Sequence, residues 1–61
     1  MKIKLGQKIT IDGIRMVCTL VKVRFRGESY CFTYFINGEL KEYEFDGNEL
    51  EALGAKEDKE S

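Results

Sequence analysis

The sequence contains no histidine, no proline and no tryptophan, and its only serines are Ser29 and Ser61. Without an imidazole there is no ordinary base to activate a serine or cysteine nucleophile. A tetrahedral zinc site also loses its usual nitrogen ligand, and two cysteines, Cys18 and Cys31, do not complete one. No catalytic residue, metal or cofactor is expected. There is no excess charge of one sign either. Ten Lys and Arg stand against eleven Asp and Glu, a net charge of -1, which a wholly basic nucleic-acid binder would not show. Long hydrophobic runs are absent as well. The most apolar stretch, Ile14 to Val23, is interrupted by Arg15, Thr19 and Lys22, too short and polar to span a bilayer, and no charged leader precedes it. The expectation is a cytoplasmic protein, without membrane contact, whose thiols stay reduced.

What is present is punctuation. Sixty-one residues make one domain, burying only ~60% of the surface its unfolded chain exposes. Glycine-containing turns at Gly6-Gln7, Asp12-Gly13, Arg26–Ser29, Asn37-Gly38 and Asp46-Gly47 separate runs of β-branched and aromatic residues, which predicts a meander of short strands. Asn37-Gly38 is the strongest signal, because a type I′ hairpin needs positive φ at both central positions. It pairs Ile36 with Glu39, Phe35 with Leu40, Thr33 with Glu42, Phe32 with Tyr43 and Tyr30 with Phe45. The Arg26–Ser29 loop pairs Phe25 with Tyr30, Arg24 with Cys31, Val23 with Phe32 and Lys22 with Thr33. Both registers place Val21, Val23, Phe25, Tyr30, Phe32, Tyr34, Tyr43 and Phe45 on one face, and Lys22, Arg24, Cys31, Thr33, Glu42 and Glu44 on the other. In this register Cys18 lies roughly 20 Å from Cys31, too far to bridge.

Asp12-Gly13 pairs Ile11 with Ile14 and Ile9 with Met16, so Ile14, Met16 and Cys18 are inward at even positions while Val21, Val23 and Phe25 are inward at odd ones. One flat strand cannot satisfy both. A bulge or sharp bend near Thr19-Leu20 resolves the conflict. After Phe45, Asn48 and Glu51 form a capping-box pattern, Leu50 and Leu53 share a helical face, and Gly54 stands where a helix C-cap falls. The fold expected is mostly β, a small five-stranded antiparallel barrel with a short C-terminal helical turn. Residues 1–54 form the domain and residues 55–61 a charged disordered tail.

The stretch Leu5 to Gly13, followed by a Val-rich strand, resembles the first hairpin of KOW and Tudor-like domains. Tyr30 to Tyr34, the Asn37-Gly38 turn, Glu44-Phe45 and Glu49-Leu50 resemble small SH3-like barrel proteins, a style frequent among accessory products of phages and mobile elements. The resemblance covers about residues 5 to 53 and implies a barrel more firmly than any activity. KOW domains usually contact RNA or a polymerase through basic loops, and the basic excess for that is missing here.

Several constellations have a chemical and a plainer explanation. Glu42 and Glu44 form a carboxylate pair, but Lys22 and Arg24 nearby make an ordinary charged face the better account. Asn37 to Glu44 copies the second half of a calcium loop, yet Thr33 and Phe35 occupy the early ligand positions. Tyr30, Tyr34 and Tyr43 with Phe32 and Phe45 have the makings of an aromatic cage, though a barrel core uses the same residues. Two functional readings stay open. The leading one is a non-catalytic protein-binding accessory or regulatory module, with Leu20, Phe35 and Leu40 as an apolar row that is either core or contact surface. The alternative is a weak RNA- or DNA-binding barrel using the basic stripe Lys22, Arg24 and Arg26. A weak homodimer through the apolar row or an open strand edge is also expected, opposed by Glu42 and Glu44.

Overall fold

The computed structural model describes residues 2–58. Five strands and one helix follow in the order β1 (Lys8–Ile11), β2 (Ile14–Arg24), β3 (Gly27–Ile36), β4 (Glu39–Asp46), α1 (Gly47–Ala52) and β5 (Lys56–Glu57). All strand pairs are antiparallel and lie in one sheet of order β4-β3-β2-β1-β5. The mostly β architecture with one short helix is therefore as expected. The sheet is not closed: β4 and β5 are its two edges, and no ladder joins them.

Two hairpins form where glycine follows a small polar residue. Asp12 and Gly13 both adopt positive φ (50° and 77°), as do Asn37 and Gly38 (51° and 76°), the geometry that matches the right-handed twist of the strands they join. Their registers are those read from the sequence: Ile11 faces Ile14, Ile9 faces Met16, Phe35 faces Leu40, and Phe32 faces Tyr43. The bulge is also where parity requires it. Cys18 faces Phe32 and Leu20 faces Cys31, so Thr19 is left without a partner and the strand turns over by one residue.

The β2–β3 register needs correction. Val21, not Phe25, faces Tyr30, and Arg24 faces Gly27, so the turn is the two residues Phe25 and Arg26 rather than Arg26–Ser29. Gly27 carries the φ of +131° that lets the strand leave so tight a turn. Because the shift is four residues, an even number, each side chain stays on its expected face. Its neighbours change. Val23 and Phe25 now project past the core and are exposed. Cys18 and Cys31 come to adjacent rungs instead of lying far apart. They remain free thiols, Cys18 packed in the core and Cys31 buried beneath Glu44 on the other side of the sheet. Burial pushes the Cys18 thiol above its ordinary value.

The core gathers on one side of the sheet: Ile3, Ile9, Ile11, Met16, Cys18, Tyr30, Phe32, Tyr34, Leu50 and Ala55. The helix closing it is capped by Asp46, whose carboxylate accepts from the Glu49 N–H (2.7 Å) while the Glu49 side chain accepts from the Asp46 N–H (3.2 Å). The capping box thus starts two residues before the expected Asn48–Glu51 pair. Only Leu50 enters the core; Leu53 is 44% exposed, and Gly54 ends the helix with φ +72°.

Ala55 to Asp58 do not form a free tail. Ala55 is buried, Lys56 and Glu57 pair with Thr10 and Ile9, the Asp58 N–H donates to the Lys8 carbonyl, and Arg15 forms an ion pair with Asp58. Residues 59–61 of the expected tail lie outside the described residues. At the other end, residues 2–7 are not a strand, so the fifth strand comes from the C-terminal side. Ile3 nonetheless reaches the core, and Gly6 and Gln7 continue the ladder by exchanging backbone bonds with Cys18 (2.8 and 2.9 Å).

Candidate functional site

The side of the sheet away from the core holds the groups with distinctive chemistry. Cross-strand neighbours there follow from register: Lys22 faces Ser29, Leu20 faces Cys31, Cys31 faces Glu44, Thr33 faces Glu42, and Phe35 faces Leu40. Glu44 is the hub. Its Oε1 accepts from Lys22 Nζ at 3.0 Å, and its Oε2 accepts from Arg24 Nη2 and Ser29 Oγ, both at 2.8 Å. Ser29 accepts in turn from Arg24 Nε at 3.3 Å. The Arg24 guanidinium first, then Ser29 and Lys22, pull the Glu44 carboxyl from 4.5 down to about 2.

This depressed value fixes a pH dependence. The unfolded carboxyl titrates near 4.5 and the folded one near 2, so the contribution is complete above the higher value and disappears as pH falls through the lower one. In urea titrations the stability difference between the wild type and Glu44→Gln should be constant above about pH 5.5 and shrink toward pH 2. A difference independent of pH across that range would show that the ion cluster does not hold in solution. The group is solvent-exposed, so the prediction concerns the window rather than a large energy.

The cluster bears directly on the basic stripe. Lys22 and Arg24 are brought together, but on one carboxylate, and only Arg26 of the three stands without an ion pair among the described residues. Arg26 sits at the β2–β3 turn beside Phe25, which is fully exposed. The apolar row is brought together only in part. Phe35 (74% exposed) and Leu40 (61%) face each other, whereas Leu20 (48%) lies four rungs along β3 from Phe35, with Thr33 between. All three are on the surface. The aromatic residues form a ladder rather than an open cage: Tyr34 stacks on Tyr43 at 5.6 Å, Tyr43 leads to Phe45 at 5.8 Å, and Tyr30, Phe32 and Tyr34 are buried.

Ser29 was not singled out by sequence, because its place beside Glu44 depends on the β2–β3 register. The Val23–Phe25 tip was hidden for the same reason. The described residues enclose no pocket, hold no cluster of metal-binding side chains, and contain no helix long and apolar enough to cross a membrane. No protein-family model, curated protein or solved structure matches the chain.

Proposed function

We propose that the chain is a non-catalytic protein-binding module, accessory or regulatory in character, with the Phe35–Leu40 pair at its contact surface. The observation that carries this reading is the position of that pair: two large apolar side chains, both mostly exposed, face each other on the outermost hairpin, next to a strand with a free edge. Apolar surface of this kind beside open backbone marks a place where another polypeptide docks. In the same reading, the sheet is a small SH3-like barrel left open between β4 and β5. Leu20 belongs to a separate patch.

The test is capture from the native cell with wild type, Phe35→Asp and Leu40→Asp as baits. Both positions are exposed, so the variants should keep the wild-type circular dichroism and melting temperature within a few degrees. A partner retained by wild type and lost by both variants supports the reading. Identical profiles for all three baits would overturn it. Sedimentation of the same proteins separates a second copy from a different partner.

A second reading has one observation in its favour, the exposed Phe25 between Arg24 and Arg26 at the hairpin tip, since an aromatic ring with flanking arginines can stack on a base and meet phosphates. Glu44 counts against it by occupying Lys22 and Arg24. Gel-shift binding that weakens steeply with salt and disappears in Phe25→Ala would favour the tip; salt-insensitive or undetectable binding would dismiss it.

A further inference from the structure

The β4 strand runs for eight residues with β3 on one side and no strand on the other among the described residues. Alternate residues of such an edge point their N–H and C=O groups away from the sheet, a template for an added strand. Its charges decide what can be added. Glu39 is paired with Lys41 at 3.1 Å, Glu44 with Lys22 and Arg24, and Asp46 caps α1. Glu42 alone among the acids of β4 has no cation or hydrogen-bond donor among the described residues. It stands between Leu40 and Glu44 on the outer row and faces uncharged Thr33.

A second copy of the chain fits this edge poorly. Paired residues of an antiparallel ladder share a face, so a two-fold pairing of β4 with itself joins even positions to even and odd to odd. Centred on Lys41, it sets Lys41 against Lys41. Centred on Glu42 it opposes two Glu42 residues, and centred on Tyr43 it opposes Glu42 and Glu44. Centred on Glu44, it opposes two Glu44 residues and sets Glu42 against Asp46. Every register that joins five or more strand residues therefore confronts like charges, which destabilise directly opposed positions. Only the three-residue register centred on Leu40 escapes, by pairing Glu39 with Lys41, and it leaves most of the edge bare.

We infer that the β4 edge takes an extended, antiparallel segment of a different protein carrying a Lys or Arg opposite Glu42 and a large apolar residue two positions later, opposite Leu40. In that register the residue before the cation lies opposite half-exposed Tyr43, favouring a β-branched or aromatic side chain there, and the later apolar residue reaches the Phe35–Leu40 pair. The inference rests on the protein-binding reading above and names the partner's chemistry.

The probe is the capped hexapeptide Thr-Val-Lys-Thr-Leu-Thr, titrated into the intact labelled protein and followed by amide NMR shifts. Saturable shifts confined to β4 and the end of β3 are expected. Replacing Lys by Glu in the peptide should weaken binding about threefold to tenfold, in keeping with an exposed pair turned from attraction to repulsion, and Glu42→Lys in the protein should reverse that preference. Backbone N-methylation at one set of alternate peptide positions should abolish binding, and at the other set leave it intact. No saturable shift on β4, or indifference to both methylation sets, overturns strand addition. If a cellular partner is still lost by Phe35→Asp in that event, the protein-binding reading stands and only the edge is wrong.

Discussion

Phe32→Ala should remove a large part of the domain's stability. Phe32 is fully buried at the centre of β3, flanked by Tyr30 at 6.5 Å and Phe45 at 6.3 Å, and opposite Cys18 across the ladder. Deleting a buried phenyl ring costs about 3–5 kcal/mol, through lost transfer energy and the cavity left behind. A domain of this length has a total stability of roughly 3–9 kcal/mol, so the loss removes about a third of it at the least and all of it at the most. Thermal denaturation followed by circular dichroism should show the midpoint falling by at least ~15 °C, or no cooperative transition at all. A fall of less than 5 °C would mean that the sheet is not organised around this side chain.

The second large effect is expected at Leu50, and it has an internal control. Leu50 is completely buried, and it is the one residue of α1 inside the core cluster. Six residues are far too few for a helix to persist by itself in water, so α1 exists because Leu50 docks it. Leu50→Ala should cost about 2–5 kcal/mol and expose the helix and Ala55 to hydrogen exchange. Leu53→Ala, three residues later, should cost about 1 kcal/mol or less because that side chain is 44% exposed and lies outside the core cluster. Equal effects at the two positions would show that the helix packs through another face.

How much of this was legible in the sequence depended on whether a local signal had a competitor. Asn37-Gly38 and Asp12-Gly13 specify their own registers, because few residues other than glycine, asparagine and aspartate accept positive φ. The stretch Phe25 to Ser29 has one glycine and no such partner, so two overlapping turns whose registers differ by four residues were compatible with it. The tighter one forms, and it leaves Val23 and Phe25 outside the core. The faces survived that ambiguity and the neighbours did not, which is why Leu20 was grouped with Phe35. The same ambiguity hid Ser29 from the Glu44 cluster, although the offset of Glu44 by Lys22 and Arg24 was readable from charge and parity alone. At the helix start, Asp46–Glu49 and Asn48–Glu51 are equivalent as patterns, and burial of Leu50 fits both. The pairing of Lys56 and Glu57 with β1 left no trace in composition, since two charged residues at a sheet edge look like any solvated tail.

The unpartnered Thr19 gives β2 something akin to a reading frame. Upstream of it the even-numbered residues face the core, and downstream the odd-numbered ones do. Losing Thr19 itself would restore unbroken alternation and leave Leu20, Val21, Lys22 and Arg24 on the faces they hold now, whereas a residue added or lost between Leu20 and Arg24 would turn over the part of the strand that follows. The turns at either end of β2 tolerate changes of length far better, because their tips are exposed. Away from the bulge the count of residues is thus constrained as strictly as their kind. A chain that drifted by point substitution, or that lost the bulged residue, could keep this fold, while one that gained a single residue between Leu20 and Arg24 would misplace the side chains after it.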